Sequence, residues 1–179
     1  MTLSLPATTR GLALALLALS CSGGDAPADG LDQLAGFIGS WTGTQDFAAD
    51  DSSFPATYEI KREGDKMVWE FSSEFAGGFT GRAETTWDAE AAVYRETWTD
   101  SMAPEPTTST GTWDAETATM TAEMKDASNT SGIDPEVMLD YIYETVLEED
   151  HFEMAMTIIM DTGQEQTVMW LRMDRQADG

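Results

Sequence analysis

Cysteine, histidine and basic residues are what this chain has least of. One Cys in 179 residues rules out an intramolecular disulfide and any multi-cysteine zinc or iron–sulfur site. One His rules out a His-rich metal centre. Nine Lys and Arg stand against 33 Asp and Glu, a formal charge of −24, and phosphate neutralisation needs the opposite balance. Nucleic acid is therefore not an expected partner, and no cofactor or metal is expected. The motifs of phosphate-binding loops, Gly-x-Ser-x-Gly hydrolases, His-Glu-x-x-His metalloproteases and EF-hands are all missing. What remains is 41% hydrophobic, which is a folding composition rather than a disordered one.

The first residues read as an address. Arg10 is the only charged side chain before Asp25, and an apolar run follows from Leu12 to Leu19. That run is too short to span a bilayer and fits a secretory signal, residues 1–20. Leu17-Ala18-Leu19-Ser20-Cys21 resembles the lipobox of bacterial lipoproteins, with Leu19 in place of a small residue. The resemblance implies cleavage before Cys21 and acylation of that residue, which makes the membrane a partner through the anchor alone. The alternative is a secreted or periplasmic protein cut near Ser20. Residues 21–30 are small, acidic and rich in Gly, and read as the anchor Cys plus a flexible tether. All 33 acidic residues and eight of the nine basic ones follow Cys21, so the body repels anionic lipid heads. The expected location is the bacterial cell envelope, on the periplasmic face of the outer membrane.

From residue 31 the hydrophobic period is two. Met67, Trp69 and Phe71 alternate with Val68, Glu70 and Ser72, with Phe75 continuing the series. Met120, Ala122 and Met124 do the same, as do Phe152, Met154, Met156, Ile158 and Met160. Turn signals such as Glu63-Gly64-Asp65, Ala76-Gly77-Gly78 and Asp161-Thr162-Gly163 separate the runs. Thr86-Trp87-Asp88-Ala89-Glu90 recurs as Thr112-Trp113-Asp114-Ala115-Glu116, hairpin chemistry used twice. The pattern predicts strands at 37–46, 56–63, 66–75, 79–87, 92–100, 107–113, 118–126, 137–147, 151–160 and 165–174. Such a strip closes to hide its edges. The fold class is all-β: a single antiparallel up-and-down barrel of about ten strands over residues 31–175, with a disordered tail at 176–179. Within 134–149, Asp134-Pro135-Glu136 can open a helix, but Val137, Leu139, Tyr141 and Tyr143 alternate, which favours a strand. A short helical turn within 31–38 is expected to close one barrel end.

Three stretches carry a family resemblance. They are Leu31 to Gly36 with Gly39-Ser40-Trp41-Thr42-Gly43, then Trp87-Asp88 through Tyr94 to Met102 with Ser109 to Asp114, and finally His151 to Met154 through Met169 to Arg175. Together they resemble an uncharacterised bacterial family, domain of unknown function 1579, which implies a calycin-type barrel related to lipocalins. Ile133 to Met138 departs from the family pattern. Gly39-x-Trp41 is similar to the lipocalin Gly-x-Trp signature. That likeness implies a Trp at the barrel floor with a basic residue of the last strand over its ring, a place Arg172 is expected to fill. The bland reading is a core Trp41 and an exposed Arg172.

A barrel of this size need not be filled by its own side chains. The expected function is binding of a small hydrophobic ligand, with Trp41, Trp98, Asp100, Met154, Met156 and Arg172 as candidate contacts. Thioethers suit loosely specified apolar ligands, though they also make ordinary cores. Asp100 also fits a turn cap before Ser101-Met102-Ala103. His151 follows three acidic residues in a predicted turn and is read as exposed rather than catalytic. No catalytic constellation is evident, and an enzyme is not expected. Two other readings stand beside ligand binding: a structural or accessory lipoprotein acting by protein–protein contact, and a hydrolase using paired carboxylates.

Overall fold

The computed structural model describes residues 30–103, 105–128, 138–160 and 162–177. The predicted leader, Cys21, most of the tether, the loop before residue 138 and the final two residues lie outside this set.

A 3₁₀ helix, Gly30–Phe37, leads into ten strands. These are β1 (Gly39–Phe47), β2 (Ser53–Glu63), β3 (Lys66–Ser73), β4 (Phe79–Asp88), β5 (Val93–Asp100), β6 (Thr107–Asp114), β7 (Thr119–Ser128), β8 (Met138–Leu147), β9 (His151–Ile159) and β10 (Glu165–Arg175). Each pairs antiparallel with its neighbours in sequence, and β1 pairs with β10 to close the barrel. The period-two reading therefore gives the fold. Gly43 is what lets the seam close tightly, because a Cβ there would overlap the Arg172 carbonyl across the β1–β10 pair.

One predicted strand ends early, and the segment that could have been helix or strand is a strand as predicted. Phe75 leaves the strand register, since β3 stops at Ser73 and a 3₁₀ turn, Phe75–Gly77, follows. The Ser73 hydroxyl accepts from the Phe75 N–H at 3.1 Å, a local bond that competes with strand continuation. Residues 138–147 are strand, with Leu139, Tyr141 and Tyr143 on the inner face. The Asp134-Pro135-Glu136 helix signal falls outside the described residues.

The repeated Trp-Asp-Ala-Glu unit makes two alike turns. The Asp88 carboxylate accepts from the N–H groups of Glu90 and Ala91 at 3.1 and 3.0 Å, and Asp114 accepts from Glu116 at 2.8 Å. Each turn ends on an alanine in the left-handed region, Ala92 at φ 54° and Ala118 at φ 51°.

One end of the barrel is solid. Leu31, Leu34 and Phe37 are three residues apart, so a helix of three residues per turn puts all three on one face, and they are 1%, 0% and 0% exposed. The Phe37 ring packs against Trp69, Trp113 and Phe152 at centroid distances of 5.3–5.9 Å. Trp41 is fully buried beneath it, and its indole N–H donates to the Phe37 carbonyl at 2.8 Å. The basic residue over Trp41 is Arg175, not Arg172, with its guanidinium carbon 4.1 Å from the ring centroid. Strand parity gives the reason. Met169, Leu171, Met173 and Arg175 face inward on β10, and Arg175 is the direct register partner of Trp41. Arg172 faces outward, where it pairs with Asp46 and Glu153. Arg175 also donates to the carbonyls of Gly36 and Ile38 at 2.6 and 2.8 Å, closing the end of the 3₁₀ helix.

Candidate functional site

Above this floor the barrel is hollow. A cavity of about 540 Å³ runs from Phe37 up to the loop between β1 and β2, where exposed Ala49 and Asp50 border it. Strands β2 to β5 supply aromatic rings, among them Tyr58, Trp69, Phe71, Phe79 and Trp98, while β7 to β10 supply Met120, Met124, Met154, Met156 and Met169. The mouth carries an aromatic belt, with Phe47 and Phe75 at 4.7 Å, Phe54 and Phe75 at 5.5 Å, and Phe79 and Trp98 stacked at 6.4 Å. Gly81 makes room for that belt, since any Cβ there would overlap the Trp98 ring.

The wall is not wholly apolar. Glu96 projects inward between Thr85 of β4 and Ser109 of β6, its direct register partners. The Thr85 hydroxyl donates to Glu96 Oε2 at 3.0 Å and the Ser109 hydroxyl to Oε1 at 3.4 Å. The Trp69 indole N–H donates to Thr85 Oγ1 at 3.0 Å, which commits the Thr85 proton to Glu96. Protein encloses Glu96 on all sides, and what surface it keeps faces the cavity. Burial pushes its carboxyl above the usual range, against the two hydroxyls that favour the charged form. Burial likewise raises Tyr58 and Tyr143, with the nearby Glu96 charge as the next cause for both.

Two further polar groups border the cavity unmatched. Gln45 is 5% exposed; its side-chain N–H reaches Met169 Sδ at 3.1 Å, but its Oε1 has no protein partner. Tyr141 is 4% exposed, and its hydroxyl also has none. A buried polar atom without a partner costs about 1–3 kcal/mol.

The predicted contacts divide. Trp98, Asp100, Met154 and Met156 line the cavity together. Asp100 does two jobs: Oδ2 accepts from the Trp98 indole at 2.8 Å, and Oδ1 accepts from the N–H groups of Met102 and Ala103 at 2.8 Å each. Trp41 sits in the floor outside the cavity lining, and Arg172 is on the outer surface. His151 lies outside the cavity too. Its Nδ1 is 2.8 Å from Asp174 Oδ1, and this partner raises its pKa, with Glu153 adding to the effect. Sequence reasoning missed Glu96, Gln45 and Tyr141. For Glu96 the signal was present: it alternates with Tyr94 and Trp98, so a carboxyl stands on an aromatic face.

The family whose description is protein of unknown function DUF1579 matches residues 27–175. The chain belongs to this family. Among solved structures, the chain is similar to Rv2717c from M. tuberculosis, with a TM-score of 0.59, 14% identity, 85% of this chain covered and 99% of that one. At that identity the likeness is one of fold. No curated protein matches the chain.

Proposed function

We propose that this protein is an envelope lipoprotein whose barrel binds a small, mainly apolar molecule. The observation that carries the reading is the cavity itself. About 540 Å³ of space lies inside a closed barrel, within the range of ligand sites, lined mostly by rings and thioethers with a few convergent polar groups. The 3₁₀ helix starts at Gly30 on the closed end, so a tether running from an acylated Cys21 joins the barrel opposite its mouth. Action through the outer surface has less support. Among the described residues the exposed large hydrophobics are Ile38 and Met102, at opposite ends of the barrel, which make no docking patch. Paired-acid hydrolysis has less as well: Glu96 accepts from two hydroxyls and Asp100 from the Trp98 indole and two turn N–H groups, so both carboxyls already serve the wall and its rim.

Native mass spectrometry of the full chain purified from its own envelope tests the binding reading. A small molecule that co-purifies and is lost on unfolding is expected. Protein that never carries one, and whose tryptophan emission no apolar probe alters, would overturn it. Labelled palmitate incorporation that disappears in Cys21→Ala tests the anchor.

A further inference from the structure

Resting on the binding reading, the cavity's chemistry narrows the ligand class. We infer that the preferred ligand is an apolar molecule bearing a basic nitrogen, whose ammonium group sits against Glu96 among the faces of Tyr58, Trp69 and Tyr143. Among the described residues three carboxyl groups line the cavity, those of Asp50, Glu96 and Asp100, and no Lys, Arg or His does. The basic residues among the described residues lie elsewhere, on the outer wall or at the floor: Arg82 pairs with Glu70 and Glu84, Arg172 with Asp46, and Arg175 covers Trp41. A fatty acid entering head first would bring a fourth carboxylate to a site with no cation to meet it.

The arrangement around Glu96 favours a positive partner over a merely polar one. Both carboxyl oxygens already receive hydroxyl protons, and the Trp69 indole behind Thr85 fixes that direction of donation. Such an array stabilises a carboxylate, yet burial opposes the charge, so the site lacks only a cation. Aromatic faces are the other half of ammonium recognition, and Tyr58, Trp69 and Tyr143 line the cavity with Glu96. The net charge of −24 adds a field that draws cations toward the mouth and turns anions away.

Three probes of equal length separate the possibilities: n-decylamine, n-decanol and decanoate, titrated into the full chain at pH 7 and read by tryptophan emission, since Trp69 and Trp98 line the cavity. The amine is expected to bind at least about tenfold tighter than the alcohol, a difference of about 1.4 kcal/mol. Decanoate is expected to bind most weakly. Glu96→Gln should bring the amine-to-alcohol ratio close to one. That variant also separates cavity binding from attraction to the acidic surface, which it leaves in place. Should Glu96→Gln fail to fold, the ranking on the unaltered chain is repeated at about 0.5 M salt, which screens the acidic surface, and an amine preference that persists there decides for the cavity. An alcohol or acid that binds as well as the amine overturns the inference and leaves the cavity reading intact, as does a preference that survives Glu96→Gln. If none of the three binds, the cavity reading falls and this inference with it.

Discussion

The two ends of the barrel are made by the same ten strands and yet differ in kind. At the closed end, Phe37, Trp41, Tyr94 and Met173 are fully buried, and their polar atoms are met. The Trp41 indole has the Phe37 carbonyl, and the Tyr94 hydroxyl lies 2.6 Å from the Gly30 carbonyl and 2.9 Å from Gln33 Oε1. At the open end, inward-facing Tyr58, Trp69, Trp98, Met154 and Met156 keep accessible surface, and three buried polar atoms, of Gln45, Thr107 and Tyr141, have no protein partner. The difference is the plug. The 3₁₀ helix drives Leu31, Leu34 and Phe37 into one end, and the Phe75–Gly77 turn at the other contributes a rim. A barrel wall alone fixes a volume; whether the volume is core or cavity depends on what is inserted into it.

The contrast is most sharply broken by truncation. Phe37→Ala removes a ring wedged among three others and should cost about 3–5 kcal/mol, while Met156→Ala, beside existing space, should cost about 1 kcal/mol. Urea denaturation midpoints measure both, and equal losses would mean that the upper half is packed as tightly as the floor. Next come the two arginines of β10. Arg175→Ala loses two carbonyl bonds and the indole contact, an expected 1–3 kcal/mol or about that, whereas outward Arg172→Ala should cost under about 1 kcal/mol.

The third prediction concerns pH. Glu96 has a folded pKa above its unfolded one, so the folded state holds that proton longer. It costs no stability below the ordinary carboxylate pKa, and the cost grows as pH rises from there through the raised folded value. Melting temperatures of the ligand-free protein and Glu96→Gln should therefore diverge with rising pH, the variant becoming relatively more stable; parallel curves would contradict a buried acid. The smallest effect belongs to the turns at the closed end. Ala92→Gly and Ala118→Gly relieve a left-handed alanine and should each raise stability by about 0.5–1 kcal/mol in the same melts.

Much of the site was legible strand by strand. Alternation placed Trp98, Met154 and Met156 on inner faces, and Asp100 beside Trp98, where all four line the cavity. What failed was parity on the last strand. Arg172 and Arg175 are both basic and both on β10, but the alternation of Met169, Leu171 and Met173 turns Arg172 outward, and the pairing of Trp41 with Arg175 then sets the height at which the ring is met. Glu96 went unremarked because a charged residue on a strand is usually outward. Its inward place follows from Tyr94 and Trp98 on either side, but its two hydroxyl partners come from neighbouring strands.

By itself the amino-acid order determined the strand period, the turns and the acidic charge, because each is set by near neighbours along the chain or by composition. Only the tertiary structure decided that one end is plugged and the other hollow, and that the buried Glu96 carboxyl faces the hollow with no cation beside it among the described residues. Those outcomes depend on which side chains from distant strands meet at one level of the barrel, and on whether their volumes sum to the space enclosed.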